Sequence, residues 1–231
     1  LAGSLYSPLD FLQIDPNLIE KDDKRTPTEQ VKAFTDACHK RGIRVMLDLP
    51  SCSSYDMYLE KQNLMAKERD GQAKTPQGWN DIRMFQPFSD ETKRELNPDL
   101  VDLHKKYVDM CVDLGIDGIR ADVARAKPTE FWDIIIPYSH SKDPEFAWLG
   151  ETYTYEDASP QANMPYDRPE DSLRAGFDAY YGQYHIFHEW KGAKDLNQFV
   201  EENIEMSNRL DKGKSIIGSF TTHDDISPMF H

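Results

Sequence analysis

The sequence predicts an α/β fold built on parallel strands. Short apolar runs alternate along the 231 residues with longer segments whose apolar residues recur at helical spacing. Each apolar run is followed by such a segment or by a long excursion, which is the order in which crossover helices connect parallel strands. Hydrophobic residues make up 39% of the chain, and this is enough to bury the core of one domain.

Five apolar runs are predicted as buried strands. Most of them carry an apolar or aromatic residue near the centre, as strands do. They are residues 43–49, 115–122, 146–151, 174–180 and 214–221.

Four helices are predicted between these strands. Residues 26–29 (TPTE) form a capping box with proline at the first helical position, and Gly42 ends the helix that they open. Asn97 and Pro98 open the second helix, whose apolar residues follow the helical period. The remaining two helices are predicted at residues 129–138 and about 193–210.

The count of strand–helix units predicts a partial (β/α)8 TIM barrel with an insertion after the third strand. Five units account for residues 1–231, so we expect one catalytic barrel fragment with about strands three to seven. Residues 53–95 are polar and aromatic-dotted, and they are rich in Gly, Pro, Asn and Asp. A connection of this length indicates an inserted, subdomain-like functional loop.

Charge and cysteine content restrict the classes of partner. The net charge of −14 repels phosphate backbones and anionic lipids, so neither nucleic acid nor membrane is expected as a partner. A neutral polyhydroxyl substrate is compatible with this charge, and solubility alone is an equal explanation of it. The three cysteines are widely spaced without a metal-binding pattern, which predicts reduced thiols and a cytoplasmic location.

Four acidic residues lie at or just after the predicted carboxyl ends of strands: Asp48, Asp122, Glu151 and Asp224. A barrel opens all these strand ends onto one face, where they would converge. Glycoside hydrolysis needs such a group, because one carboxyl donates a proton while another attacks or stabilises the sugar cation. Acidic residues are common here, 41 in all, so each alone is compatible with an ordinary structural role. For Asp48 the structural role is favoured.

The flanking residues of these acids resemble motifs of the α-amylase superfamily, glycoside hydrolase family 13. Residues 118–122 (GIRAD) resemble its G-x-R-x-D motif, which implies that Asp122 is the nucleophile and that Arg120 keeps it ionised. Residues 149–151 (LGE) resemble its strand-five segment, which implies that Glu151 is the general acid/base. Residues 220–224 (FTTHD) resemble its strand-seven motif, which implies that His223 binds sugar hydroxyls and that Asp224 stabilises the transition state.

The third-strand motif departs from the family pattern. After Asp48 the family has asparagine and histidine where this chain has Cys52 and Ser53. That asparagine is often a calcium ligand, so no metal ligand and no cofactor are expected, and the departure argues against calcium. The Cys-Ser pair resembles the bacterial maltosyltransferase branch that uses maltose 1-phosphate. Residues 74–82 and the pairs 127–128 (KP) and 131–132 (FW) add to this partial resemblance.

Further residues are expected to bind substrate. Tyr6 lies in a segment resembling the one after the family's second strand, and Tyr153 follows Glu151 as a platform for a sugar ring. Arg125 and Lys127 are expected to contact an acceptor sugar or a phosphate leaving group, or else to form a solvated helix start. Asp48 completes the predicted substrate-binding residues.

The resemblance implies a retaining hydrolase or transglycosylase of the α-amylase type, with α-1,4-glucan or maltooligosaccharide as substrate and a double-displacement mechanism. Two alternatives stay open, a maltosyltransferase that uses maltose 1-phosphate and a non-catalytic glucan-binding relative. The sequence leaves undetermined the oligomeric state and the balance of hydrolysis over transfer.

Overall fold

The computed structural model describes residues 4–76, 79–151, 176–181, 191–217 and 223. The strands are β1 (Met46–Leu49), β2 (Cys52–Ser53), β3 (Arg83–Met84), β4 (Phe88–Asp90), β5 (Glu95–Leu96), β6 (Gly118–Ala121), β7 (Ala147–Glu151), β8 (Ala179–Tyr181) and β9 (Ser215–Ile216). The α-helices are α1 (Pro27–His39), α2 (Tyr55–Glu60), α3 (Pro98–Asp113), α4 (Thr129–Lys142) and α5 (Ala193–Asn208). A strand overlaps each of the five predicted strand ranges and a helix overlaps each of the four predicted helix ranges. Residues 174–175 and 218–221 of the predicted strands lie outside the described residues.

The main sheet is parallel throughout its described strands, as the alternation of strands and helices predicts. Its order is β1-β6-β7-β8-β9, so strands that follow one another by way of a helix or a long connection are neighbours. In the β1–β6 pairing Asp48 lies opposite Arg120. A side chain on Gly118 would place its Cβ 2.5 Å from the carbonyl oxygen of Ala147, so this close approach of β6 to β7 requires glycine.

Strands β1 and β6 each begin three residues later than the sequence predicts, for one shared reason. Ile43 and Ile116 complete the caps of the preceding helices, because their N–H groups donate to the carbonyls of Cys38 and Cys111. Each follows a glycine with positive φ, which is the Schellman arrangement. An apolar residue just after a helix-ending glycine therefore belongs to the helix cap rather than to the strand.

The core lies between the sheet and helices α3 and α4. Its largest fully buried side chains include Trp148, Phe131, Phe146 and Phe177. The indole N–H of Trp148 donates to the buried hydroxyl of Ser139 on α4, so the polar group of this core residue is satisfied. This packing fixes β7 and α4 relative to each other, and β7 carries Glu151.

The segment between β1 and α3 contains small elements of its own. Strands β2 and β3 form one antiparallel pair, β4 and β5 form another, and α2 lies between β2 and β3 in the sequence. Ser54 caps α2 by accepting from the amide of Met57. Within the described part of the chain, none of the helices combines the length and apolarity needed to cross a lipid bilayer.

Candidate active site

Three acidic side chains meet at the carboxyl ends of neighbouring strands. Asp48 is the next-to-last residue of β1, Asp122 directly follows β6, and Glu151 is the last residue of β7. Because β1, β6 and β7 are adjacent and parallel, their carboxyl ends lie on one rim. The predicted convergence of these three residues is observed.

Arg120 holds all three carboxylates through one guanidinium group. Its Nη1 lies 2.7 Å from Oδ1 of Asp48 and 3.0 Å from Oδ1 of Asp122. Its Nη2 donates to Oε2 of Glu151 at 2.7 Å. The rigid fork of arginine suits this arrangement, because it presents several donors in fixed directions. One buried cation thus faces three acids, which leaves an excess of negative charge that favours protonation of one acid.

Glu151 is the acid whose pKa is raised, first by burial. Its side chain is only 2% exposed, and burial together with the negative charge of Asp122 raises its pKa from 4.5 to about 7. A hydrogen bond with Asp122 acts in the same direction, while Arg120 opposes the shift. A carboxyl that keeps its proton near neutral pH is suited to act as a general acid.

Val123, the residue after Asp122, has an unusual backbone conformation next to Glu151. Val123 has a left-handed conformation with φ 37° and ψ 64°, which β-branched residues rarely adopt. Its N–H donates to Oε2 of Glu151 at 3.0 Å. The strain therefore lies directly between Asp122 and Glu151, where strained backbone is commonly functional.

Asp122 accepts hydrogen bonds on both carboxylate oxygens. Oδ1 receives the guanidinium of Arg120, whereas Oδ2 receives the backbone N–H of Ser51 at 3.1 Å and its hydroxyl at 2.9 Å. The side chain of Asp122 remains 15% exposed, so a substrate can reach it. The sequence analysis missed Ser51, and its position three residues after Asp48 in the departing motif was the available signal.

Tyr6 joins Asp48 to His223. Its hydroxyl donates to Oδ2 of Asp48 at 2.8 Å and lies 2.9 Å from Nε2 of His223. The rings of Tyr6 and His223 stack with centroids 5.9 Å apart. Burial and the hydrogen bond to Asp48 raise the pKa of Tyr6 far above its ordinary value, so it acts as a neutral donor. Tyr6, Asp48 and His223 therefore form one wall beside Arg120.

Tyr181 is a second residue that the predicted site lacks. Its hydroxyl accepts from Nε of Arg120 at 2.7 Å, and its ring lies 5.6 Å from the guanidinium carbon. The sequence analysis assigns it no role. Its place at the end of β8, the next strand of the same rim, was the signal for this role.

Arg125 and Lys127 are buried, so the solvated alternative for them is wrong. The ammonium of Lys127 lies 5.2 Å from the ring centre of Phe85 and 3.3 Å from the carbonyl oxygen of Ser51. Burial lowers the pKa of Lys127 to about 8. The solvated alternative fails because the chain after Asp122 forms a short, buried 3-10 helix, Ala124–Ala126, before α4 begins.

Cys52 and Ser53 are both buried as strand β2, paired with β3. Burial raises the pKa of the Cys52 thiol to about 12, so it is unreactive near neutral pH. Cys52 and Ser53, which stand where the α-amylase superfamily has asparagine and histidine, form the first strand of a small antiparallel sheet. Over the residues that the structure describes, no group of three or more His, Cys, Asp or Glu side chains is arranged to hold a metal ion.

Two predicted site residues, Asp224 and Tyr153, lie outside the described residues. Their roles stay predictions.

Comparison with known proteins agrees with this geometry. No protein-family model matches the chain. A cyclomaltodextrinase from Bacillus sp is 27% identical over 165 residues, 64% of this chain and 28% of that protein. An alpha-1,4-glucan:maltose-1-phosphate maltosyltransferase from Bifidobacterium animalis subsp. lactis is 26% identical over 198 residues, 82% of this chain and 23% of that protein.

The fold has clear structural relatives. A crystal structure of an alpha-amylase from Lactobacillus plantarum superposes with a TM-score of 0.72 at 24% identity, and it covers 96% of this chain and 51% of that chain. The present chain spans about a quarter of the length of the curated relatives it matches, 28% and 23%. It is thus an α/β chain forming a partial (β/α)8 barrel like that of α-amylases, and its resemblance to the α-amylase superfamily, including the maltosyltransferases, is confirmed.

Proposed function

We propose that the protein is a retaining enzyme acting on α-1,4-glucans, either a hydrolase or a transglycosylase. The observation that carries this proposal is the Asp122–Arg120–Glu151 arrangement, in which one guanidinium binds both carboxyl groups at 3.0 and 2.7 Å. Retaining glycosidases place their two carboxyl groups about 5–5.5 Å apart, and inverting enzymes place them about 6.5–9.5 Å apart. We expect the Asp122 and Glu151 carboxyl groups to have the shorter spacing, because both bind one guanidinium and each acts on the charge of the other.

The proposed mechanism has two steps. Asp122 attacks the anomeric carbon while Glu151 donates its proton to the departing glycosidic oxygen, and a covalent glycosyl–enzyme forms. Glu151, now a carboxylate, then removes a proton from the acceptor, which is water or a sugar hydroxyl. The acceptor oxygen bonds to the anomeric carbon as the bond from that carbon to Asp122 breaks, and Asp122 is released as a carboxylate. Arg120 orients both acids, and we assign stabilisation of the sugar cation to Asp224.

We also propose which residues bind the sugar and where in the cell the protein acts. Tyr6, Asp48 and His223 offer a hydroxyl, a carboxylate and an imidazole to the hydroxyls of the innermost sugar, and Tyr153 is proposed as a platform near them. Residues 1–231 are proposed to be one catalytic unit with an insertion at about 53–95. The net charge of −14 and three free cysteines support a neutral substrate, no binding of nucleic acid or membrane, and a cytoplasmic location.

A specific observation favours maltosyl transfer from maltose 1-phosphate as a second candidate. The buried ammonium of Lys127 interacts electrostatically with Asp122, the proposed nucleophile. A cation in that position is suited to receive a phosphate leaving group. The maltosyltransferase relative also matches more of this chain, 82%, than the cyclomaltodextrinase does, 64%.

Product analysis after incubation with maltoheptaose tests the proposal. Only shorter sugars are expected from a hydrolase, and lengthened sugars as well from a transglycosylase. Replacing Asp122 by Asn is expected to abolish either activity while thermal unfolding stays cooperative. Wild-type turnover in Asp122→Asn would remove Asp122 as the nucleophile, and absence of any product with wild-type protein, from maltoheptaose and from maltose 1-phosphate plus an acceptor, would favour the glucan-binding alternative.

A further inference from the structure

Ser51 makes an unusual pair of contacts with the proposed nucleophile. Its backbone N–H and its hydroxyl both donate to the same atom, Oδ2 of Asp122, at 3.1 and 2.9 Å. Hydrogen bonds to a charged acceptor are stronger than those between neutral groups. Since Oδ1 of Asp122 is held by Arg120, the carboxylate has donors on both sides and is fixed in one orientation.

Ser51 is itself fixed by contacts of its own backbone and of the residues next to it. Its carbonyl oxygen accepts from the ammonium of Lys127 at 3.3 Å, and the following residue, Cys52, starts the β2–β3 pair. On the other side, the backbone N–H of Asp122 donates to the carbonyl of Leu49 at 3.1 Å. The turn between β1 and β2 is therefore fixed to the strand end that bears Asp122, and Ser51 itself is buried.

We propose that Ser51 is a positioning residue for Asp122, an inference that rests on the proposed function. Oδ2 accepts two hydrogen bonds from Ser51 and Oδ1 accepts one from Arg120, so we assign the attack to Oδ1. As the bond from Oδ1 to the anomeric carbon forms, the bond from that carbon to the glycosidic oxygen breaks, and the proton of Glu151 passes to the leaving oxygen. Oδ2 becomes the carbonyl oxygen of the ester and keeps its hydrogen bonds from Ser51.

The test compares three variants on two substrates. Ser51→Ala removes the hydroxyl donor, and Ser51→Thr retains one. Ser53→Ala is the matched control, because Ser53 is a buried serine two residues away whose hydroxyl contacts the carbonyls of Ser54 and Arg83 and the sulfur of Met65 instead. The substrates are maltoheptaose and α-maltosyl fluoride, whose fluoride leaves without a proton from Glu151. Thermal unfolding of each variant verifies the fold.

The proposal predicts a specific pattern. Ser51→Ala is expected to lower kcat by about 10- to 100-fold on both substrates with little change in KM, since a charge-assisted hydrogen bond to the attacking group is lost. Ser51→Thr is expected to recover most of this loss, and Ser53→Ala to stay within about 3-fold of wild type.

Other results overturn the proposal. Equal kcat in Ser51→Ala and wild type contradicts a positioning role, and so does a loss confined to maltoheptaose, which would place Ser51 with the acid Glu151 instead. A change in KM alone would make Ser51 a residue for binding rather than for positioning. If wild-type protein turns over neither substrate, the proposed function fails first, and this outcome is distinct from failure of the Ser51 assignment.

Discussion

The backbone N–H of Val123 donates to Oε2 of Glu151 at 3.0 Å, and Val123 itself has a left-handed backbone conformation. The residue that follows the proposed nucleophile thereby supports the proposed acid. A strained β-branched residue therefore lies next to a carboxyl group that is almost completely buried, and its N–H helps to fix the orientation of that group.

Two substitutions at Val123 test this strain. Val123→Gly is expected to be more stable to urea than Val123→Ala by about 1 kcal/mol, because alanine keeps a Cβ that clashes at positive φ and glycine does not. At an ordinary position the order is reversed, since glycine loses more backbone entropy. If Val123→Ala is the more stable of the two variants, the left-handed conformation of Val123 is contradicted.

The raised pKa of Glu151 predicts how activity depends on pH. Since Glu151 must be protonated to act as the acid, kcat/KM for maltoheptaose is expected to fall as the pH rises through about 7. For α-maltosyl fluoride this fall should disappear, because its leaving group needs no proton. An identical alkaline limb with both substrates would exclude Glu151 as the group that titrates.

The same pKa predicts a change in stability. The folded-state pKa, about 7, lies above the ordinary value of 4.5, so the folded protein binds this proton more tightly than the unfolded protein. The stabilising contribution is therefore full below about pH 4.5 and is lost as the pH rises through about 7. Relative to wild type, Glu151→Gln should gain free energy of unfolding between about pH 5 and pH 8, measured in urea. A difference independent of pH would contradict the raised pKa.

Asp117 is predicted to stabilise the opposite end of the sheet. Burial raises its pKa, but hydrogen bonds from the Val45 amide, Arg44 and His39 outweigh this and lower it below 3.8. Its contribution is therefore present above about pH 4 and is lost as the pH falls through the lowered pKa. Asp117→Asn should cost about 1–3 kcal/mol at neutral pH and progressively less in acid. An equal cost at both pH values would show that the charge is unimportant.

Lys127 separates the two candidate functions. If maltose 1-phosphate is the donor, Lys127→Met should lower kcat/KM for this donor by about 10-fold more than it lowers kcat/KM for maltoheptaose, since only the phosphate needs the cation. Lys106→Met is the control, because Lys106 forms an exposed pair with Asp102 on α3 and such pairs contribute little. Equal losses on both substrates would mean that Lys127 acts only by holding Ser51.

The sequence predicts the convergence of the acids but not their supporting contacts. Asp48, Asp122 and Glu151 were expected on one rim because alternating strands and helices imply a parallel sheet, and strand ends alone then fix their place. The contacts of Ser51 and Val123 depend on the exact path of two turns, which residue type does not determine. The sequence left Lys127 open between a substrate contact and a solvated helix start, because a lysine before proline is also typical of a surface helix start. The fold removes the second alternative, since Phe85 and Phe131 lie against the ammonium group.

The most direct test of the account is to identify the residue that becomes glycosylated. A maltosyl fluoride with a second fluorine on its ring, which forms the glycosyl–enzyme faster than this intermediate breaks down, should add the mass of one fluorinated maltosyl group to the protein. Peptide mass spectrometry is expected to locate this mass on Asp122, in the peptide that contains residues 118–122. Labelling of Asp48 or Glu151 instead, or products of inverted anomeric configuration without any adduct, would contradict Asp122 as the nucleophile.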